Sequence, residues 1–168
     1  MPALYDVSVP AFIRGLKNLS VMFEKGKAFA AEQGMELSEL LDARLIDDMA
    51  PLTKQVQMTT DTAKFVAVRV GQVENQPWAD DEASFDDVQA RVAKAIAFLQ
   101  AASPDGFEGR EDAKVVLTTP SGDIPFTGSS YVHGFAMPNF FFHLSMAYAL
   151  LRMKGVPLGK LDFLGAIR

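Results

Sequence analysis

Only two imidazoles are available for chemistry, His133 and His143, and His143 is the better placed. It closes the run Pro138-Asn139-Phe140-Phe141-Phe142 in a segment with helical patterning. At about 100° per residue, Ala136, Asn139, Phe140, Met146, Ala147 and Leu150 fall within about 60° of it, while Ser145 and Arg152 lie opposite. His143 therefore points inward, among aromatic and apolar neighbours. Such a histidine is either a core residue whose nitrogens meet a buried partner, or a ligand or general base lining a pocket between helices. His133 lies about 15 Å further back along a continuous helix, too far to share a metal ion with it. A structural place near the start of that helix suits it better.

A second polar group sits at Gln57, Asp61 and Lys64, at helical gaps of four and three. The plain reading is a solvated face with an Asp–Lys pair, since Gln57 and Asp61 lie more than about 120° from the centre of the apolar stripe. Gln55 borders that stripe and can reach a pocket. Met58, Phe65 and Val68 stand among the polar residues, so this helix is apolar on a second side as well. Burial on two sides would make Asp61 a site residue.

The helices that must position these groups can be read from periodicity and caps. The first is expected from Ser8, as N-cap with Pro10 in the first turn, to a stop at Gly34, along the stripe Phe12, Leu16, Leu19 and Phe23. A short helix or turn follows in residues 35–48. The second helix is expected from Asp48, with Pro51 in its first turn and Leu52, Val56, Thr59, Ala63, Val66 and Val70 as its core stripe. Residues 74–82 form a polar, proline-containing loop. The third helix begins at Ser84, with Asp87 in the place of a capping-box acid, and ends before Ser103-Pro104. Val115–Leu117 and Ile124–Phe126 flank Pro120-Ser121-Gly122-Asp123 and predict a small hairpin or an extended loop. The fourth helix runs from Ser129 or Ser130 to Lys154, with Pro138 kinking or interrupting it. The apolar tail after Gly155 packs back on the body.

Composition bounds the function. The 168 residues carry 16 Lys and Arg against 21 Asp and Glu, a net charge of −5, which argues against a general nucleic-acid binder. The absence of cysteine excludes disulfides, thiolate metal sites and cysteine nucleophiles. Two histidines cannot make a three-histidine metal site in one chain. Phosphate-loop, dinucleotide, nucleophile-elbow and HExxH motifs are absent. No run reaches the ~18 apolar residues of a membrane span, and the first residues have no signal-peptide pattern, so a cytoplasmic protein is expected. Phe135 and Phe140-Phe141-Phe142, with Tyr131, cover nearly the whole circumference of the fourth helix. That surplus points to a lined pocket or to the interface of a homodimer.

Four stretches carry a family resemblance: Pro10-Ala11-Phe12-Ile13-Arg14-Gly15-Leu16-Lys17-Asn18-Leu19-Ser20; Leu45 to Met49 with Pro51-Leu52 and Gln55-Val56-Gln57; Pro138 to His143; and Gly155-Val156-Pro157-Leu158-Gly159-Lys160. Together they resemble a small bacterial family of unassigned function among the DinB-like and YfiT-like helical bundles. The resemblance spans essentially the whole chain. It implies an all-α fold, a four-helix bundle that is often dimeric, as a single domain over residues 1–168. In that superfamily one histidine on the second helix and two on the fourth often bind a divalent metal. Here His143 falls at the later position of the fourth helix, Phe140 at the earlier one, and Gln57 at that of the second helix. The implied protein binds a small molecule or partner in a pocket near His143, with Gln55, Gln57, Asp61, Asn139 and Phe140 as candidate lining residues and no cofactor. The alternative is a divergent metal-dependent enzyme, transferase- or hydrolase-like, with His143 as a metal ligand.

Overall fold

The computed structural model describes residues 3–166. Helix α1 spans Leu4–Gln33 and ends on Gly34 in the left-handed region, as the glycine stop predicts. It begins four residues before the expected Ser8. The Ser8 hydroxyl does not cap; it donates back to the Leu4 carbonyl inside the helix. Leu4 and Val9 are buried, so tertiary packing extends the helix past a proline that leaves the Asp6 carbonyl without its usual donor. The short α2, Leu37–Leu41, buries Leu40 and Leu41.

Helix α3, Leu52–Arg69, starts at Pro51 rather than Asp48; Pro51 itself is the extended N-cap residue. Helix α4, Phe85–Gln100, starts as read: Ser84 accepts from the Asp87 N–H while Asp87 returns the bond to Ser84. A 3₁₀ turn over Pro104–Phe107 follows. Strands β1 (Lys114–Thr119) and β2 (Gly122–Thr127) form an antiparallel hairpin, with Val115 opposite Phe126 and Thr119 opposite Gly122. The molecule is thus mostly helical with a small two-stranded sheet.

The expected fourth helix is three consecutive pieces. One turn, α5 (Gly128–Tyr131), passes into a π-helical turn at Val132–Ala136 and then into α6 (Met137–Met153). The wide turn lies just before Pro138, which occupies the start of α6 and has no N–H to give. The helix therefore changes pitch where the sequence predicted a kink. After Gly155 the chain returns, and α7 (Lys160–Leu164) lies on α1, held by Asn18 to the Phe163 carbonyl (2.9 Å) and by Lys25 to Asp162 (2.6 Å). The described residues thus contain seven α-helices, four of them long, together with a 3₁₀ and a π turn, where the sequence predicts four helices.

The long helices pack pairwise: α1 on α4 and α6, and α3 on α4 and α6. Phe12, Leu16, Phe23, Val56, Val66, Leu99, Phe140 and Leu144 are in the shared core. Phe140 sits in a notch over Gly15, where an added Cβ would stand 2.8 Å from its ring, and its ring centroid is 4.5 Å from that of Phe12. Phe140→Ala is expected to cost about 3–5 kcal/mol and Gly15→Ala about 1–3 kcal/mol in urea unfolding, the first by a cavity and the second by overpacking. Wild-type midpoints in both variants would show that this notch is not the packed contact described.

Candidate functional site

Helix α3 is buried on two sides, and each side carries its own polar system. Toward α6, residues Gln55, Thr62 and Arg69 recur every seven positions and each makes a cross-helix bond. The His143 Nδ1 meets Gln55 Oε1 at 2.8 Å, Asn139 Nδ2 donates to Thr62 Oγ1 at 2.7 Å, and Arg69 donates to the Tyr131 hydroxyl at 2.7 Å. The spacing from Tyr131 to Asn139 is eight residues, one more than from Thr62 to Arg69. On an uninterrupted α-helix, eight residues would set these two side chains about 80° apart. The π turn between them takes up the additional residue and returns both to the face of α3.

The His143 contact has a defined direction. Gln55 is buried, and its Nε2 donates to the Ala50 carbonyl at 3.0 Å. Its Oε1 must then accept, so His143 Nδ1 carries the proton. Nε2 keeps its lone pair, makes no hydrogen bond among the described residues, and is not among their buried unpaired atoms. Burial lowers the pKa of the half-buried ring, which favours the neutral form. The edge of Phe142 stands against it, with centroids 5.1 Å apart. His133, by contrast, is exposed.

Toward α4, the expected solvated face is covered. Gln57 and Lys64 are buried, and Asp61 is half-buried. An extended segment over residues 72–83 lies across them, and α4 contributes Arg91, whose side chain is only 2 % exposed. Arg91 donates from Nε to Thr60 Oγ1 (2.8 Å) and from Nη2 to Asp61 Oδ1 (2.8 Å). Its Nη1 faces the covering segment: Glu82 Oε1 at 2.8 Å, Asp80 Oδ1 at 3.0 Å and the Ala79 carbonyl at 3.0 Å. Burial raises the pKa of Asp61, with Arg91 opposing it, and burial lowers that of Lys64. Lys64 lies over the rings of Trp78 (4.7 Å) and Phe65 (5.0 Å).

The six residues singled out in the sequence thus divide among three surroundings. His143 and Gln55 meet directly, and Asn139 lies one turn away on the same seam. Gln57 and Asp61 belong to the Arg91 group, and Phe140 belongs to the core against α1. Sequence reasoning missed Arg91, Glu82 and Thr60. Arg91 left one signal, a lone arginine three residues after Val88 and next to Val92, on the flank of the apolar stripe of α4.

A profile described as a domain of unknown function, DUF1993, matches residues 4–164. The chain belongs to the DUF1993 family. It is also similar to the crystal structure of a DinB family member protein from Shewanella denitrificans, with 35 % identity, 98 % of this chain and 93 % of that chain covered, and a TM-score of 0.89. No curated protein matches the chain. The DinB-like likeness read from the sequence is therefore established at the level of family and fold. The three-histidine metal set implied by that likeness does not fit the DUF1993 side chains here. The Gln57 amide is committed to Glu82, 2.7 Å away, and Phe140 is turned into the core. Among the described residues no group of three or more His, Asp or Glu could hold a metal ion. No described helix is long and apolar enough to cross a membrane.

The lowered pKa of His143 has a signed consequence. The unfolded chain takes up a proton near the ordinary value of 6.5, before the folded ring does. The stabilising contribution is therefore complete above that value and is lost as pH falls through the folded pKa. Between about pH 7.5 and 5.5, the wild type is expected to lose melting temperature more steeply than His143→Gln. Parallel profiles would contradict a neutral, half-buried imidazole.

Proposed function

We propose that this protein is a binding protein for a small organic molecule, taken at the seam of α3 and α6 by the bare Nε2 of His143. The observation that carries this reading is the fixed tautomer. Gln55 is oriented by the Ala50 carbonyl and in turn holds the proton on Nδ1, so the other nitrogen is an acceptor aimed away from the core partner. Such a nitrogen suits a ligand with a weakly acidic N–H, O–H or S–H group. Phe142 supplies an apolar wall beside the ring. Binding is favoured over catalysis because no carboxylate bonds His143 among the described residues, so nothing there completes an acid–base pair.

We infer in addition that the outward face of α6 meets a second copy of the chain. Phe142 and Met153, 52 % and 48 % exposed, lie eleven residues apart and so on nearly one line of the helix. Leu45 and Ile46, in the link before α3, are also exposed, at 51 % and 61 %. A partner covering Phe142 would also wall the approach to His143.

Nitrogen-detected NMR of the histidine rings tests the first reading. The expected pattern is Nδ1–H at His143, with the Nε2 signal moving on titration with an imidazole-binding probe such as phenol and unmoved in Gln55→Leu. An Nε2–H tautomer in the free protein would end the proposal. For the second, light scattering at micromolar concentration is expected to give twice the chain mass for wild type and the chain mass for Phe142→Glu. A wild-type monomer would rule the dimer out.

A further inference from the structure

The segment over residues 72–83 carries no helix or strand, yet it crosses buried polar groups of both α3 and α4. Loops of this length without internal structure are uncommon in compact proteins, and those that occur tend to be functional. Its anchorage at the Arg91 end runs through two carboxylates. Asp80 places Oδ2 on Lys54 Nζ (2.6 Å) and Oδ1 on Arg91 Nη1 (3.0 Å). Glu82 places Oε2 on Gln57 Nε2 (2.7 Å) and Oε1 on the same Nη1 (2.8 Å). Both carboxylates are thus bridged, each by one donor from α3 and one from α4.

Arg91 does not depend on the segment for its position. Nε and Nη2 of Arg91 are fixed by Thr60 and Asp61 of α3, which leaves Nη1 as the one guanidinium nitrogen turned to the covering residues. Without Asp80 and Glu82, the group of Lys54, Lys64, Arg91 and Asp61 has a net charge of +2; with them it is neutral. Ion clusters built around a buried charge add little stability over apolar packing, and their best attested role is specificity or switching. The apolar anchor of the segment is Trp78, set edge-on against Phe98, and its indole N–H is buried without a partner. Beside it a cleft of about 380 Å³, whose charged lining is Asp81, Glu82, Asp87, Arg91 and Lys94, opens the Arg91 end of the cluster to solvent.

We propose that residues 72–83 form a displaceable strap, and that Asp80 and Glu82 stand in a site for a small dianion, of the phosphate or dicarboxylate class, built from Lys54, Gln57 and Arg91. The bound anion would take the paired donors that each strap carboxylate now bridges. This site lies across α3 from His143 and stands or falls independently of the role proposed there.

Trp78 is the sole tryptophan, so its emission reports on the strap. The test titrates inorganic phosphate and, separately, succinate against wild type and Asp80→Asn/Glu82→Gln, with sodium chloride at matched ionic strength as control. The double variant keeps hydrogen-bonding side chains but no charge on the strap. It is expected to bind one of the two anions at least tenfold more tightly than wild type, and to lose that gain when Lys54→Met is added. The anion that produces the gain distinguishes phosphate from dicarboxylate. Equal affinity in wild type and double variant, or no response in either, would overturn the proposal. If the double variant does not fold, acrylamide quenching of Trp78 in wild type decides: a rise with phosphate or succinate over chloride supports the strap, and no rise overturns it.

Discussion

A guanidinium almost wholly removed from water must be met on every side, and Arg91 sets that demand for half of this molecule. Its charge cannot be left uncompensated between α3 and α4 without a cost of several kcal/mol. Thr60 and Asp61 satisfy one edge from the helix it packs against. The remaining nitrogen draws in Ala79, Asp80 and Glu82 and thereby determines the path of a segment with no secondary structure of its own. Gln57 and Lys64 are buried as a consequence, since the covering residues lie over them. The path of the chain between α3 and α4 thus converges on one side chain.

The opposite side of α3 is arranged by single hydrogen bonds rather than by ion pairs. A seven-residue repeat of Gln55, Thr62 and Arg69 meets His143, Asn139 and Tyr131. Hydrogen bonds of this kind are directional, so they fix axial register and rotation together. The Arg69–Tyr131 contact closes the seam at the end nearest the hairpin, where Phe126 and Phe135 also stack around Tyr131. His143 acquires its tautomer from this seam. The reactivity of its outer nitrogen is therefore a property of α3 as much as of α6.

How far the sequence could be read follows from the range of each signal. Gly34 as a stop, Ser84 with Asp87 as a start, and the hairpin about residues 120–121 are local devices, and all three stand in the structure. The inward direction of His143 and the reach of Gln55 are also one-helix statements. The start of α1 was not legible, because burial of Leu4 and Val9 outweighs the cap that Ser8 offered. The burial of Gln57 and Lys64 was legible only as the alternative that Met58, Phe65 and Val68 raise, because the residues that cover them lie in the loop beyond α3 and are mostly polar. A helical wheel cannot show that a polar face is polar because its cover is charged. The place of Phe140 was misread for a related reason: its partner is the missing side chain of Gly15.

The wide turn at Val132–Ala136 gives the last helix a tolerance that its neighbours lack. One extra residue is stored there without loss of helical continuity. Removal of a single residue in that turn would leave a regular helix with seven residues from Tyr131 to Asn139, about 20° from one line, so the elements before it would keep their facing. Tyr131 would stay on the side of Arg69, and His143 and Asn139 would keep their places. Regularising the turn without a deletion would instead turn Tyr131 and the hairpin by about 80°. A one-residue deletion between β2 and α6 is therefore a length change that the last helix can take up, and the wide turn is where it would be taken up.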